Sequence, residues 1–183
     1  MTKCSVFIAT SLDGFISRTD GSIDWLNQAS IALPAGEDGG FSHFMSTVNA
    51  IVMGRNTFMQ VLSFGDWPYG NTPVVVLSRQ LKTIPVNLID TVSLSQDEPE
   101  ILVQVLDERG LKNLYVDGGI TIQRFLAAGL IDEFIITVIP LLIGSGRPLF
   151  GPLVRDVQLE LISSESFDQG FVQNKYRVIK KPG

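Results

Sequence analysis

The sequence has one cysteine, Cys4, and one histidine, His43, among its 183 residues. A disulfide within the chain and a Cys/His zinc site are therefore excluded, and a Ser-His-Asp triad would have to use His43. Basic runs are missing. Lys and Arg number 14 against 19 Asp and Glu, which leaves a formal charge of −5 and a pI near 4.8. A phosphate-backbone footprint for DNA or RNA is not expected from that balance. Long apolar runs are missing too. The longest, residues 134–143, includes Thr137 and Pro140 and is about half a membrane span. The run at residues 6–9 is too short for the core of a signal peptide, and Asp13 follows it closely. A cytoplasmic protein with no membrane partner is expected, with Cys4 a reduced, buried thiol. No metal site is expected, so chemistry falls to carboxylates, hydroxyls, backbone amides and arginine.

What is present is a core. Apolar residues make up 45 % of the chain and the mean hydropathy is +0.25. At this length a folded chain buries roughly 68–70 % of the surface that its unfolded form exposes, so one domain over residues 1–183 is expected. β-branched and aromatic residues mark strands at 5–9, 50–53, 73–77, 88–94, 113–116 and 133–139, with a hairpin at 158–164 and 171–179 around Asp168, Gln169 and Gly170. Apolar positions at helical spacing mark helices at 41–48, 55–62, 98–109 and 120–128. Residues 11–40, with five Gly and Pro34, read as a long irregular stretch of the kind used as a functional loop. Strands alternating with helices and then a hairpin predict an α/β fold, its sheet mostly parallel with an antiparallel C-terminal edge.

Three predicted strand ends carry chemistry. Met53-Gly54-Arg55-Asn56-Thr57 and Val116-Asp117-Gly118-Gly119-Ile120-Thr121 each leave a strand and open a helix, and Leu77-Ser78-Arg79 leaves a third strand. Ligands of open α/β sheets bind beyond the carboxyl ends of the strands. Glycine there lets amides approach phosphate oxygens, and a helix N-terminus favours negative charge. Arg55 and Arg79 can add charge-assisted bonds, so the set suits a dinucleotide, and the extra Arg suits a 2′-phosphate. A single Gly-Gly turn more often serves sterics than a ligand; the combination shifts the balance. The G-x-G-x-x-G fingerprint is absent; residues 144–149 come nearest but lack the third Gly, and Pro148 stands where a helix would begin.

These segments, together with Ala9-Thr10-Ser11-Leu12-Asp13-Gly14-Phe15-Ile16, occur in an order that resembles the dihydrofolate reductase-like superfamily. More closely they resemble the C-terminal reductase domain of the bifunctional riboflavin-biosynthesis protein. The resemblance implies a three-layer α-β-α fold with a central eight-stranded sheet, NADPH as hydride donor and a homodimer. It places Gly54, Arg55, Asn56 and Thr57 at the pyrophosphate and 2′-phosphate. Leu77, Ser78 and Arg79 would meet the adenosine 2′-phosphate, and Gly118, Gly119, Ile120 and Thr121 the pyrophosphate. Ala9 and Thr10 would line the nicotinamide, and the segment from Asp13 through Phe15 and Ile16 would close over it as a mobile loop. The Gly118–Gly119 bond would be cis.

The same resemblance offers three carboxylates for catalysis or substrate binding. Asp38 falls at the position of the folate reductase acid, although capping a helix is the other reading of an acid there. Asp13 and Asp117 match carboxylates of the riboflavin-type reductases. Trp25 reads either as a pocket wall or as a core residue, and His43 as a surface or structural one. Thr72 stands where folate reductases carry an arginine for the folate carboxylate, which disfavours folate, and the zinc deaminase of the bifunctional protein has no ligands here. The implied activity is hydride transfer to a small heterocyclic or ribosylaminopyrimidine substrate. Its alternatives are the riboflavin-pathway reductase step itself, dihydrofolate reduction, or NADPH binding without turnover. For the homodimer, which also draws on an apolar edge strand at 133–139, sedimentation equilibrium at micromolar concentration is expected to give twice the 20.0 kDa chain mass. A 20.0 kDa species would contradict it.

Overall fold

Dense β-branched and aromatic residues carry the chain into β1 (Lys3–Ser11) and, at intervals, into β3 (Ala50–Gly54), β4 (Val74–Leu77), β5 (Val92–Ser95), β6 (Asn113–Asp117) and β7 (Ile131–Ile139). The computed structural model describes residues 1–31, 34 and 36–180. These six strands are mutually parallel where they pair, and the hairpin β9 (Leu159–Ser166) and β10 (Val172–Val178) adds an antiparallel flank. The order across the eight-stranded sheet is β5-β4-β3-β6-β1-β7-β10-β9. A second, two-stranded sheet pairs β2 (Phe15–Ser17) with β8 (Arg147–Pro148).

Helices cover both faces and complete the three layers. α4 (Pro99–Glu108) and α5 (Gly119–Ala127) pack Leu102, Leu106, Ile122 and Phe125 against Val6, Val52, Val116 and Phe134. On the other face α2 (Phe41–Ser46) and α3 (Arg55–Leu62) set Phe44 and Phe58 against Ile51, Met53, Val76 and Tyr115. Cys4 is fully buried and free, and burial pushes its thiol up to about 12, so it is held as an inert apolar side chain.

The register sets the shape of the site. β1 pairs with β6 only from Lys3↔Asn113 to Ser5↔Tyr115, whereas β1 continues beside β7 to Ser11↔Ile139, and β6 continues beside β3 to Met53↔Asp117. The two central strands therefore part at their carboxyl ends. The chain goes from β1 to β3 and fills the place between them later with β6, so the gap is the topological switch point of the sheet.

Several expectations change. The stretch 11–40 is irregular only in part: it holds β2 and α1 (Asp24–Ile31), whose Trp25, Leu26 and Ala29 join Ala9, Ile139, Ile143 and Phe171 in one cluster. Residues 32, 33 and 35 of that stretch lie outside the described residues. The strand expected at 88–94 is a 3-10 turn at Val86–Leu88 followed by β5, because Leu88 turns into the core before the chain extends. β7 is not an edge strand: β10 covers it, and the edges are β5 and β9. Among the described residues every peptide bond is trans, so the Gly118–Gly119 link is not cis; Gly118 takes φ 90° instead. No helix among them is long and apolar enough to cross a membrane.

Candidate active site

Two helices start side by side at the end of the gap, each after a glycine and each without a side-chain cap. Gly54 precedes α3, and Gly118, with φ 90° and ψ 135°, precedes α5. Uncapped first-turn amides have no partner within the helix and are available to an anion. The two starts interlock. A Cβ on Gly54 would come within 2.9 Å of Thr121 Oγ1, and a Cβ on Gly118 would run into Thr57 Oγ1. Each glycine thus makes room for the threonine of the opposite helix, which keeps the two sets of amides together. On Gly119 a Cβ would meet Ile16 Cδ1 at 2.8 Å and Pro148 O at 3.6 Å, so β2 and β8 roof this cradle.

The roof is pinned rather than loose. Asp13 accepts hydrogen bonds from Ser11 Oγ (2.6 Å), Gly144 N (2.8 Å) and Ile143 N (3.3 Å), and Leu149 N donates to Gly14 O (3.0 Å). The Ser11 hydroxyl above all, and then these amides, hold the Asp13 carboxyl below the usual range. Farther along, Gln60 Nε2 of α3 donates to Gly21 O (3.1 Å) and Arg18 forks onto Asp24 (2.6 and 2.8 Å). Phe15 and Ile16 therefore sit in a short paired strand.

Asp38 is also committed. Its two oxygens accept from Gly40 N (2.9 Å) and Ser42 N (2.8 Å) at the start of α2; Ser42 is the main cause that lowers its pKa, and the residue is exposed. Asp117 differs from both. It ends β6 facing the gap, half-buried, and burial pushes its carboxyl up to about 6 although Gly118 N donates to it at 2.8 Å. Tyr115 stands beside it, its hydroxyl within reach of the carboxylate and donating to Phe7 O (3.0 Å) across the opening between β6 and β1. Burial, with Asp117 adding to it, pushes the Tyr69 phenol up as well. Tyr69 and Tyr115 are site neighbours that the sequence pattern did not single out; the aromatic turn Trp67-Pro68-Tyr69 was the available signal. Thr10 and Ser11 are buried along β1, and Trp25, 2 % exposed, leaves its indole Nε1 without a partner.

Beyond β4 lies a groove of about 430 Å³ lined by Leu77, Ser78, Arg79, Ser95, Gln96, Asp97 and Arg124. Arg55 bonds the Gln80 side chain, with Asn56 Oδ1 3.4 Å from its other nitrogen. Ile120 is 72 % exposed and points away from the core, so only its backbone belongs to the cradle. His43 is exposed on α2 and lines a separate cavity of about 360 Å³ with Lys3, Phe7, Glu133 and Lys175. That cavity lies toward the amino ends of β1 and β7, away from the glycine starts.

The environment of Asp117 has a measurable consequence. Its folded pKa of about 6 exceeds the ordinary aspartate value of 3.8. Between those two values the folded chain keeps a proton that the unfolded chain has lost, so this residue makes stability fall as pH rises through that window. Asp117→Asn keeps the acceptor for Gly118 and removes the titration. Urea unfolding is expected to show the variant more stable at pH 7 by about 3 kcal/mol, with the difference gone below about pH 3. A difference that does not vary with pH would contradict this environment.

The family described as the RibD C-terminal domain matches residues 2–173. A crystal structure from Shewanella sp. PV-4, provisionally described as a riboflavin biosynthesis protein, is similar at 42 % identity with a TM-score of 0.91, covering 98 % of this chain and 100 % of its own. The Bacillus subtilis (strain 168) protein YwjB, itself uncharacterized, is 34 % identical over 170 residues, 91 % of this chain and 93 % of that one. A Thermotoga maritima diaminohydroxyphosphoribosylaminopyrimidine deaminase/5-amino-6-(5-phosphoribosylamino)uracil reductase shares the fold at 15 % identity and a TM-score of 0.74, matching 97 % of this chain and 57 % of its own. By sequence and by a dihydrofolate reductase-like fold, the chain belongs to the family of RibD C-terminal domains.

Proposed function

We propose that the protein is an NADPH-dependent reductase that delivers hydride to an electrophilic carbon of a small nitrogen heterocycle, with a ribosylaminopyrimidine as the first candidate. The observation that carries this reading is the gap between β1 and β6, flanked at its open end by two uncapped, glycine-started helices. A flat ring entering the gap would have its phosphates within reach of those amides.

When bound, the cofactor supplies the hydride from its nicotinamide ring. The amides of Gly54, Arg55, Asn56 and Thr57 and of Gly118, Gly119, Ile120 and Thr121 hold the pyrophosphate. Ser78, Arg79 and Arg55 hold the 2′-phosphate, beside the backbone of Leu77. Ala9 and Thr10 line the ring along β1, and Phe15 and Ile16 exclude water from above. A glycine cradle that a Cβ would fill supports the fit.

Asp117 handles the proton. A carboxyl pushed up to about 6 can hold or accept one near neutral pH, beside Tyr115 and Tyr69. Asp13 and Asp38, whose oxygens are occupied by amides and hydroxyls, act in this reading as positioning groups: Asp13 ties β2 to the segment before β8, and Asp38 caps α2. The unpartnered Trp25 Nε1, packed with Ala9 and Ile143, favours a ligand oxygen at the end of β1. The enzyme works in the cytoplasm as a homodimer, and exposed Leu159, Leu161 and Ile162 on β9 offer apolar surface for the contact.

The test is NADPH consumption with a panel holding the phosphoribosylaminouracil, its dephosphorylated form and dihydrofolate, beside rescue of a riboflavin auxotroph. Turnover of a pyrimidine with little for dihydrofolate is expected, and Gly119→Ala should weaken NADPH binding about tenfold or more while the melting curve stays in place. Tight NADPH binding without turnover of any substrate would contradict the reductase reading.

A further inference from the structure

We infer that Arg124 and Arg79 form a two-armed seat for the 2′-phosphate, with Glu98 as an internal anion that holds both arms and gives way when the phosphate arrives. This rests on the NADPH reading above. Arg79 follows β4 and Arg124 lies on α5, and both line the groove; Glu98, which precedes α4, bonds the two of them. Arg79 Nη2 donates to Glu98 Oε1 at 3.1 Å and Arg124 Nη2 to Glu98 Oε2 at 2.7 Å. Each guanidinium uses one nitrogen on the carboxylate and keeps its other donors free.

Two guanidiniums converging on one small anion also suit a phosphate, which can accept a charge-assisted bond from each. The phosphate has the stronger claim: it carries about −1.5 to −2 charge against the single charge of Glu98, with more acceptor oxygens. The exchange is undemanding, since the three side chains are 75 %, 41 % and 56 % exposed and exposed pairs bind weakly. Ser78 completes the seat. Its Oγ already accepts from Gln80 N (3.1 Å) and Leu81 N (2.8 Å), so its proton remains to be donated to a phosphate oxygen. The acid that lines the groove, Asp97, accepts from Ser95 Oγ at 2.7 Å and touches neither arginine among the described bonds. Glu98 therefore sets how strongly the groove prefers a 2′-phosphate over a 2′-hydroxyl.

Calorimetric titration of the full chain with adenosine 2′,5′-bisphosphate and with AMP decides the matter. Arg124→Ala should weaken the bisphosphate about tenfold or more and leave AMP within about twofold, and Arg124→Lys should restore part of the loss. Glu98→Gln should strengthen the bisphosphate several-fold at low salt and leave AMP unchanged. Equal effects of Arg124→Ala on both ligands, or no gain in Glu98→Gln, would overturn the seat. A wild-type chain that binds NADPH while Arg124→Ala keeps its preference overturns only this inference. A wild-type chain that binds neither probe nor NADPH overturns the reductase reading with it.

Discussion

Two parallel strands cannot keep their hydrogen-bond ladder and also open a slot between them, and the chain resolves this at Ser5 and Tyr115. Past that pair, β1 takes its partners from β7 and β6 takes its own from β3. The parting leaves backbone groups on facing edges, and the Tyr115 hydroxyl meets one of them at Phe7 O. Both glycine-started helices and Asp117 border this opening. Asp117 is half-buried because it ends β6 there, and Gly118 can turn into α5 at once because it accepts a positive φ with Thr57 packed where a side chain would go.

The same opening sorts the carboxylates. Asp13 and Asp38 lie at the surface with amides and hydroxyls around them, which lowers their pKa, whereas Asp117 is enclosed among Tyr115, Tyr69 and the strand ends, which raises it. Three acids that look alike in the sequence thus differ in what they can do near neutral pH. Environment rather than residue type separates a carboxyl that can hold a proton near neutral pH from a loop tie and a helix cap.

Much of this was legible before any coordinates. Glycines at 54 and 118 after β-branched runs marked both helix starts, and the alternation of strands and helices marked the layered sheet. The misses were non-local. Pairing of β2 with β8 is two or three residues long and depends on partners far apart in the chain, so no local pattern announces it. α1 is short, and its apolar residues face a cluster built from β7 and the hairpin turn. β7 looked like an edge because only the tertiary fold brings β10 beside it. Arg124 carries no local signal, because its partner Glu98 comes from another element.

The central claim is that the carboxyl end of the β1–β6 gap binds a nicotinamide dinucleotide between α3 and α5. Amide hydrogen exchange read residue by residue, with and without saturating NADPH, addresses it most directly. The account predicts slowed exchange at Arg55 to Thr57, at Gly118 to Thr121 and at Arg79, with the amides around Lys3, Glu133 and Lys175 unchanged. Protection confined to that second cavity, or none at either glycine start, would contradict it.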